Sequence, residues 1–177
     1  MAEKGSLTVR KVNAEQLKGL KVSAGFSRWF RTEDERMQEE LRQLLINRVF
    51  EGSEVWVATV DDTIIGYSII SDWTALPGGK VIDAIEVSSP YRGKGIGSTL
   101  LKAFIDENPN TIIGLLLYPE KGYEKELLKF YEKMGFKNVT EDIMVRVAVK
   151  GPKLQALIRY LRELRDLYTK LLELLSA

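Results

Sequence analysis

The spacing of apolar residues changes period repeatedly along the chain, and each change predicts an element. Leu7-Thr8-Val9-Arg10-Lys11-Val12 alternates with period two, as a strand with one wet face does. A helical region follows. Thr32-Glu33-Asp34-Glu35 has the Ser/Thr-x-x-Glu form of a capping box, and Met37, Leu41, Leu44, Leu45 and Val49 recur behind it at helical spacing. Its acidic residues suit the positive end of a helix dipole. Glu54 to Val60 and Thr63 to Ile70 are rich in β-branched and aromatic residues, and Asp61-Asp62 between them predicts a tight hairpin. Pro77-Gly78-Gly79 predicts a turn, after which Val81 to Val87 forms the next strand.

Ile96, Leu100, Leu101, Phe104 and Ile105 then mark one face of a helix that Asn108-Pro109-Asn110 stops. Ile112-Ile113-Gly114-Leu115-Leu116-Leu117 is nearly continuous apolar sequence, the pattern of a strand buried on both faces. Strand, helix and strand in this order imply a right-handed parallel crossover. Leu127, Leu128, Phe130, Tyr131 and Met134 define another amphipathic helix, closed by Gly135 where a left-handed cap belongs. Ile143, Val145, Val147 and Val149 alternate into a last strand. The order of elements predicts an α/β domain over residues 1–150.

Gly151-Pro152 sets off a Leu-rich tail over residues 151–177. Leu154, Leu157, Leu161, Leu164, Tyr168, Leu171 and Leu175 follow a 3-4 spacing there, with Ile158, Leu167, Leu172 and Leu174 widening the stripe. Such a face needs cover, and two arrangements are open: the helix folds back on its own domain, or it pairs with a second copy as a homodimer.

A chain of 177 residues carries one ordinary domain with a real core. Net charge is +1 with both signs interspersed, so neither a nucleic-acid footprint nor a polybasic membrane surface is expected, and partners should be small. Met1-Ala2-Glu3-Lys4-Gly5-Ser6 lacks the apolar stretch of a signal peptide and no segment is long enough to span a bilayer, which makes a cytoplasmic protein the expectation. Cysteine and histidine are both absent. Their absence excludes thiolate nucleophiles, disulfides, Cys/His metal sites and a serine activated by histidine. Carboxylates, tyrosine, lysine, water and backbone amides are left to move protons and stabilise charge.

The sharpest chemical signal lies where the Val81 to Val87 strand empties into Arg92-Gly93-Lys94-Gly95-Ile96-Gly97-Ser98 and then into a helix. The first amides of a helix lack intrahelical acceptors and sit at the positive end of its dipole, so phosphate oxygens are favoured there. Without a Cβ at 93, 95 or 97, successive N–H groups can surround one pyrophosphate, while Arg92 and Lys94 supply charge. A Rossmann dinucleotide loop is a poor competitor, because Gly97 falls one position early for Gly-x-Gly-x-x-Gly.

These residues resemble the GNAT superfamily of acyl-CoA-dependent N-acetyltransferases. Val87 followed by Arg92 to Leu101 is similar to that family's pyrophosphate loop, whose core is Arg/Gln-x-x-Gly-x-Gly/Ala, and Lys129-Phe130-Tyr131-Glu132-Lys133-Met134-Gly135-Phe136 is similar to its second signature at the expected distance downstream. Element order agrees from about Leu7 to Val149, so the resemblance implies the GNAT fold, a mixed, mostly antiparallel central sheet flanked by helices, with the Leu-rich tail outside it as an extra C-terminal helix. Glu124 stands where the family often has an asparagine that contacts the cofactor arm, and the proline of Ser88-Ser89-Pro90-Tyr91 is shifted by one.

The resemblance implies transfer of an acetyl group from acetyl-CoA directly to a primary amine, on a small molecule or a peptide, without a covalent enzyme intermediate. It implies that Tyr131 is the acid that protonates the departing thiolate, and that residues Arg92 to Ser98 bind the diphosphate. It also sets main-chain groups of Glu86 and Val87 against the thioester and pantetheine, where a backbone N–H would stabilise the acetyl oxygen. For the base, Asp83 lies four residues before Val87, where many relatives carry an acidic residue. Period two places it on the face of Ile85 and Val87, with Glu86 facing the other way. Asp83, Glu86 and a solvent relay all remain open as base. Acceptor choice should come from the early helices and from Asp72 to Pro77; Glu33, Asp34 and Glu35 could draw a cationic amine. Polyamine, aminoglycoside, amino acid, peptide N-terminus and protein lysine all remain open. The rival reading is a noncatalytic protein that binds acyl-CoA as a ligand and acts through its C-terminal helix.

Overall fold

The structure, a computed structural model, describes residues 6–117 and 122–176. Residues 1–5, which carry most of the N-terminal reading above, lie outside that range. The chain divides into two compact units, Met1–Val147 and Ala148–Ala177.

The first unit is built on an eight-stranded sheet. Its elements are β1 (Thr8–Val12), α1 (Ala14–Lys18), β2 (Lys21–Val22), α2 (Glu35–Phe50), β3 (Glu54–Val60), β4 (Thr63–Asp72), β5 (Lys80–Val87), α3 (Ile96–Glu107), β6 (Ile112–Leu116), α4 (Glu124–Lys133), β7 (Lys137–Asn138) and β8 (Ile143–Val147). The strand order is β1-β3-β4-β5-β6-β8-β7, with β2 beside β4. Neighbours are antiparallel except β5 with β6 and β2 with β4. The predicted hairpin is present: Val60 pairs with Thr63 around Asp61 and Asp62, whose φ of 47° and 59° fit the left-handed turn that the twist of paired strands favours.

Alternation along the strands divides the core in two. Val55, Val57, Tyr67, Ile69 and Ala84 face α1 and α2 together with Leu17, Phe26, Leu41 and Leu45. Trp56, Ala58, Ile70 and Ile82 belong to the second core, with Leu100, Phe104 and Ile105 of α3 and Tyr131 of α4. All five residues that the sequence places on the inner face of α3 are buried.

The short strands β2 and β7 do not figure in the sequence reading, and two further details differ from it. The cap of α2 is Asp34, whose side chain accepts from Met37 N at 2.9 Å. Thr32, the expected cap, is buried in the preceding loop, where its hydroxyl accepts from Phe26 N and donates to Ser23 O, both at 3.0 Å. Two nearby candidates, Thr32 and Asp34, compete for one role, and the loop claims Thr32. The last strand stops at Val147, short of Val149.

The second unit is the helix α5 (Gly151–Leu175), with Pro152 in its first turn. Leu161, Leu167, Tyr168 and Leu171 are exposed along it. Among the described residues no helix is long and apolar enough to cross a membrane.

Candidate active site

The site begins with a break in strand pairing. β5 and β6 pair only from Lys80–Ile113 to Ile82–Leu115. Beyond Ile82, β5 continues to Val87 against β4 alone. A cleft therefore opens on that side of β5. A cavity of about 740 Å³ occupies it, lined in part by Ile85, Glu86 and Val87 of β5, Leu116 of β6, Gly97 of α3 and Phe130 and Tyr131 of α4.

β5 also carries a bulge. Ile69 pairs with Ala84 and Ile70 with Ile82, leaving Asp83 as the extra residue with no partner across the ladder. The bulge breaks period two and corrects the sequence reading of Asp83. Its carboxylate is turned to Ser71, whose hydroxyl donates to Oδ2, instead of sharing the face of Ile85 and Val87. Asp83 is not among the cavity-lining residues, whereas Ile85 and Val87 are. No local pattern in Val81 to Val87 announces the extra residue.

Glu86 does face the other way, as expected, into the layer of Tyr67. It is 8% exposed and held by several donors. Ser27 N and Arg28 N donate to Oε1 at 2.7 and 3.1 Å, and the phenol of Tyr67 donates to Oε2 at 2.8 Å. The Arg92 guanidinium stands 3.8 Å away. Burial, then the charge and hydrogen bond of Glu86, push the Tyr67 phenol far above its ordinary range against weaker opposing pulls from Arg28 and Trp29. Tyr67 is therefore a fixed proton donor to Glu86. The loop through Ser27 is joined to the glycine segment as well: Ser89 N donates to Gly25 O at 2.9 Å, and Gly25 has φ of 95°.

After β5 the chain makes a 3₁₀ turn, Ser89–Tyr91, and enters the glycine segment. Gly93 and Gly95 have φ of 74° and 78°, in the left-handed region that favours glycine, and a Cβ on either would meet nothing within 4 Å. The space beside them is open. Gly95 caps α3, and the first intrahelical bond runs from Thr99 N to Gly95 O at 3.0 Å. The amides of Ile96, Gly97 and Ser98 therefore precede any intrahelical acceptor and lie at the positive end of α3. This donor set fits a diphosphate, the group that coenzyme A carries. Gly97 lies close to both walls: a Cβ there would be 3.7 Å from Phe130 and from Val87. The two cations are drawn back, with Arg92 Nε donating to Val87 O at 3.0 Å and Lys94 Nζ to Pro90 O at 3.1 Å.

On the opposite wall, α4 brings Tyr131 into the cavity at 5% exposure, with its ring edge-on to Phe130 and Phe136 at centroid distances of 4.9 and 5.6 Å. Burial raises its phenol to about 12, in spite of a downward pull from the charge of Arg28. At neutral pH it holds its proton. Gly135, at φ of 87°, turns the chain after α4 as expected. Sequence reading missed Tyr67, Ser27, Arg28 and Trp29. The one signal was indirect: a carboxylate inside a strand needs donors, but these lie across the fold from it.

Residues 51–138 match the sequence profile of a family described as an acetyltransferase (GNAT) domain. No curated protein matches the chain by sequence. Solved structures share its fold. An acetoin utilization protein from Exiguobacterium sibiricum is 19% identical, with 95% of this chain and 100% of that one covered at a TM-score of 0.66. The ribosomal-protein-S18-alanine N-acetyltransferase from Escherichia coli is 14% identical over 82% of this chain and 96% of that one, at 0.58. The PaiA N-acetyltransferase from Thermoplasma acidophilum, solved with coenzyme A, is 19% identical over 80% and 99%, at 0.54. With the profile lying over the parted strands, the glycine segment and Tyr131, and with this fold around them, the chain belongs to the GNAT superfamily of acetyltransferases.

Proposed function

We propose that the protein is an N-acetyltransferase that moves an acetyl group from acetyl-CoA to a primary amine by direct attack. The observation that carries this reading is the convergence on one cleft of three features: the unpaired edge of β5, the free amides at the start of α3, and the protonated phenol of Tyr131. Acetyl-CoA would supply the activated acyl group and a thiolate leaving group. Ile96, Gly97 and Ser98 would hold its diphosphate through main-chain N–H groups, with Arg92 and Lys94 swinging out to add charge. The unpaired edge of β5 near Glu86 and Val87 would receive the pantetheine arm and orient the thioester. As the amine nitrogen bonds to the acetyl carbon and the C–S bond breaks, Tyr131 gives its proton to sulfur, and the proton released by nitrogen passes to water in the open cleft.

Glu86 serves in this scheme by position and by main-chain contact. Its carboxylate oxygens are already occupied by two amides and the Tyr67 phenol. Asp83 is engaged by Ser71 outside the cavity lining, which favours solvent over either carboxylate as the route for the amine's proton. The test is calorimetry with acetyl-CoA followed by thiol release with a panel of amines. Binding together with amine-dependent release of free thiol is expected. Binding without release for any amine would remove catalysis, and no binding would remove the whole reading.

A further inference from the structure

We propose that the acetyl acceptor carries a carboxylate close to its amine, as a free amino acid does, and that Arg28 is the residue that reads it. This rests on the N-acetyltransferase reading and narrows its substrate.

The cleft has two sides. Gly97, Phe130 and Tyr131 line the side of α3 and α4, and Ser27, Arg28 and Trp29 line the side formed by the loop before α2. The diphosphate donors belong to the first side. The second is left for the acceptor, and Arg28 is its charged member.

Arg28 is held in place through its own backbone. Its N–H donates to Glu86 at 3.1 Å beside the Ser27 N–H at 2.7 Å, and Tyr67 secures the same carboxylate from below. The guanidinium is exposed; one nitrogen donates to Asp83 O at 3.2 Å, and the group lies over the Trp29 ring at 5.5 Å from its centroid. A guanidinium has five N–H donors in a planar fork, so these contacts leave donors for a carboxylate. It lines the same cavity as Tyr131, and its charge pulls the Tyr131 phenol downward.

The balance of charge argues against a polyamine. An acceptor with several ammonium groups needs several available carboxylates, but Glu86 is already engaged by two amides and the Tyr67 phenol, and among the described residues Glu126 on α4 is the other carboxylate in the lining. The cation of Arg28 on the wall of the same cleft would repel such a substrate. A zwitterion matches instead: its carboxylate meets Arg28, and its amine, once deprotonated, points along the cleft toward the thioester.

The experiment uses the full chain and matched acceptors: an α-amino acid, its carboxamide, and the amine left when its carboxylate is removed, each over several side-chain types. Thiol release gives kcat and KM, and calorimetry reports acetyl-CoA binding separately. The acid should be preferred over both neutral partners by about tenfold or more in kcat/KM, as expected for a hydrogen-bonded charge pair. In Arg28→Gln, KM for the acid should rise by about 10- to 100-fold, the preference should collapse, and acetyl-CoA affinity should hold within about threefold. Arg28→Lys should restore part of the preference, which a merely structural role would not do. Equal or better use of the neutral partners overturns the proposal, as does an Arg28→Gln preference like that of the parent. Acetyl-CoA binding with no acid acetylated also overturns it. Loss of acetyl-CoA binding by the unaltered chain would instead strike the N-acetyltransferase reading beneath it.

Discussion

A phenol is a useful acid only while it keeps its proton, and the surroundings of Tyr131 guarantee that. Burial against Phe130 and Phe136 raises it to about 12, so it stays protonated throughout the range in which an amine loses its own proton. The raised value extends the acid form upward in pH. The rate should therefore climb from pH 6 to pH 10 as the amine is freed, with no alkaline fall caused by Tyr131 in that window; a pH profile of kcat measures this. Tyr131→Phe keeps the ring and removes the proton, and should lower kcat by about 10²- to 10⁴-fold, with acetyl-CoA affinity by calorimetry within about threefold. The place of Tyr131 in the cleft was legible because the signature that resembles the family, Lys129 to Phe136, is a run of fixed local spacing. The partners of Glu86 were not, since Ser27, Arg28 and Tyr67 reach it only once distant segments are brought together. The face that Asp83 takes is hidden for a related reason: alternation is local, but a bulge is a property of two strands in register.

At the level of elements, the cleft exists because β5 leaves β6 after three paired residues, so the packing that fixes those three matters. Gly114 pairs with Val81 at the middle of them, and a Cβ there would lie 2.6 Å from the ring of Trp73. A rigid indole against a central strand has little room to give. Gly114→Ala should cost about 1–3 kcal/mol, seen as a lower midpoint in denaturant at unchanged slope. The longer helices and strands were legible because each is written in a repeating pattern, including the full inner face of α3, whereas β2 and β7, two residues each, are too short to carry one. The boundary of α2 was one choice among adjacent polar residues. Asp34→Ala should lose about 1 kcal/mol for its capping bond to Met37 N, while Thr32→Val should also disturb the loop, since it removes contacts to Phe26 N and Ser23 O. Differential scanning calorimetry of the two variants separates a cap from a loop anchor. The α/β class followed from element order, but the parting of β5 from β6 did not, because where a ladder ends depends on two strands in register and not on either strand's own pattern.

For the molecule as a whole, a ligand that binds only the folded chain must stabilise it by an amount set by its concentration over Kd. The proposed grip is made by main-chain amides that an unfolded chain does not align. Acetyl-CoA at about 100 times its Kd should therefore add about 2.7 kcal/mol, which for a chain of this size moves Tm up by roughly 5–10 °C. Free coenzyme A should give most of the same shift, since the diphosphate and pantetheine contacts do not depend on the acetyl group. Gly95→Ala forces a Cβ into φ of 78° at the cap of α3, which strains the turn that aims those amides. Its own Tm should fall modestly, and at the same ligand concentration its shift should shrink to a small fraction of the parent's. Thermal scans of both proteins with acetyl-CoA and with coenzyme A check this. A full shift in Gly95→Ala would mean that the cofactor is held by something other than the main chain at the start of α3.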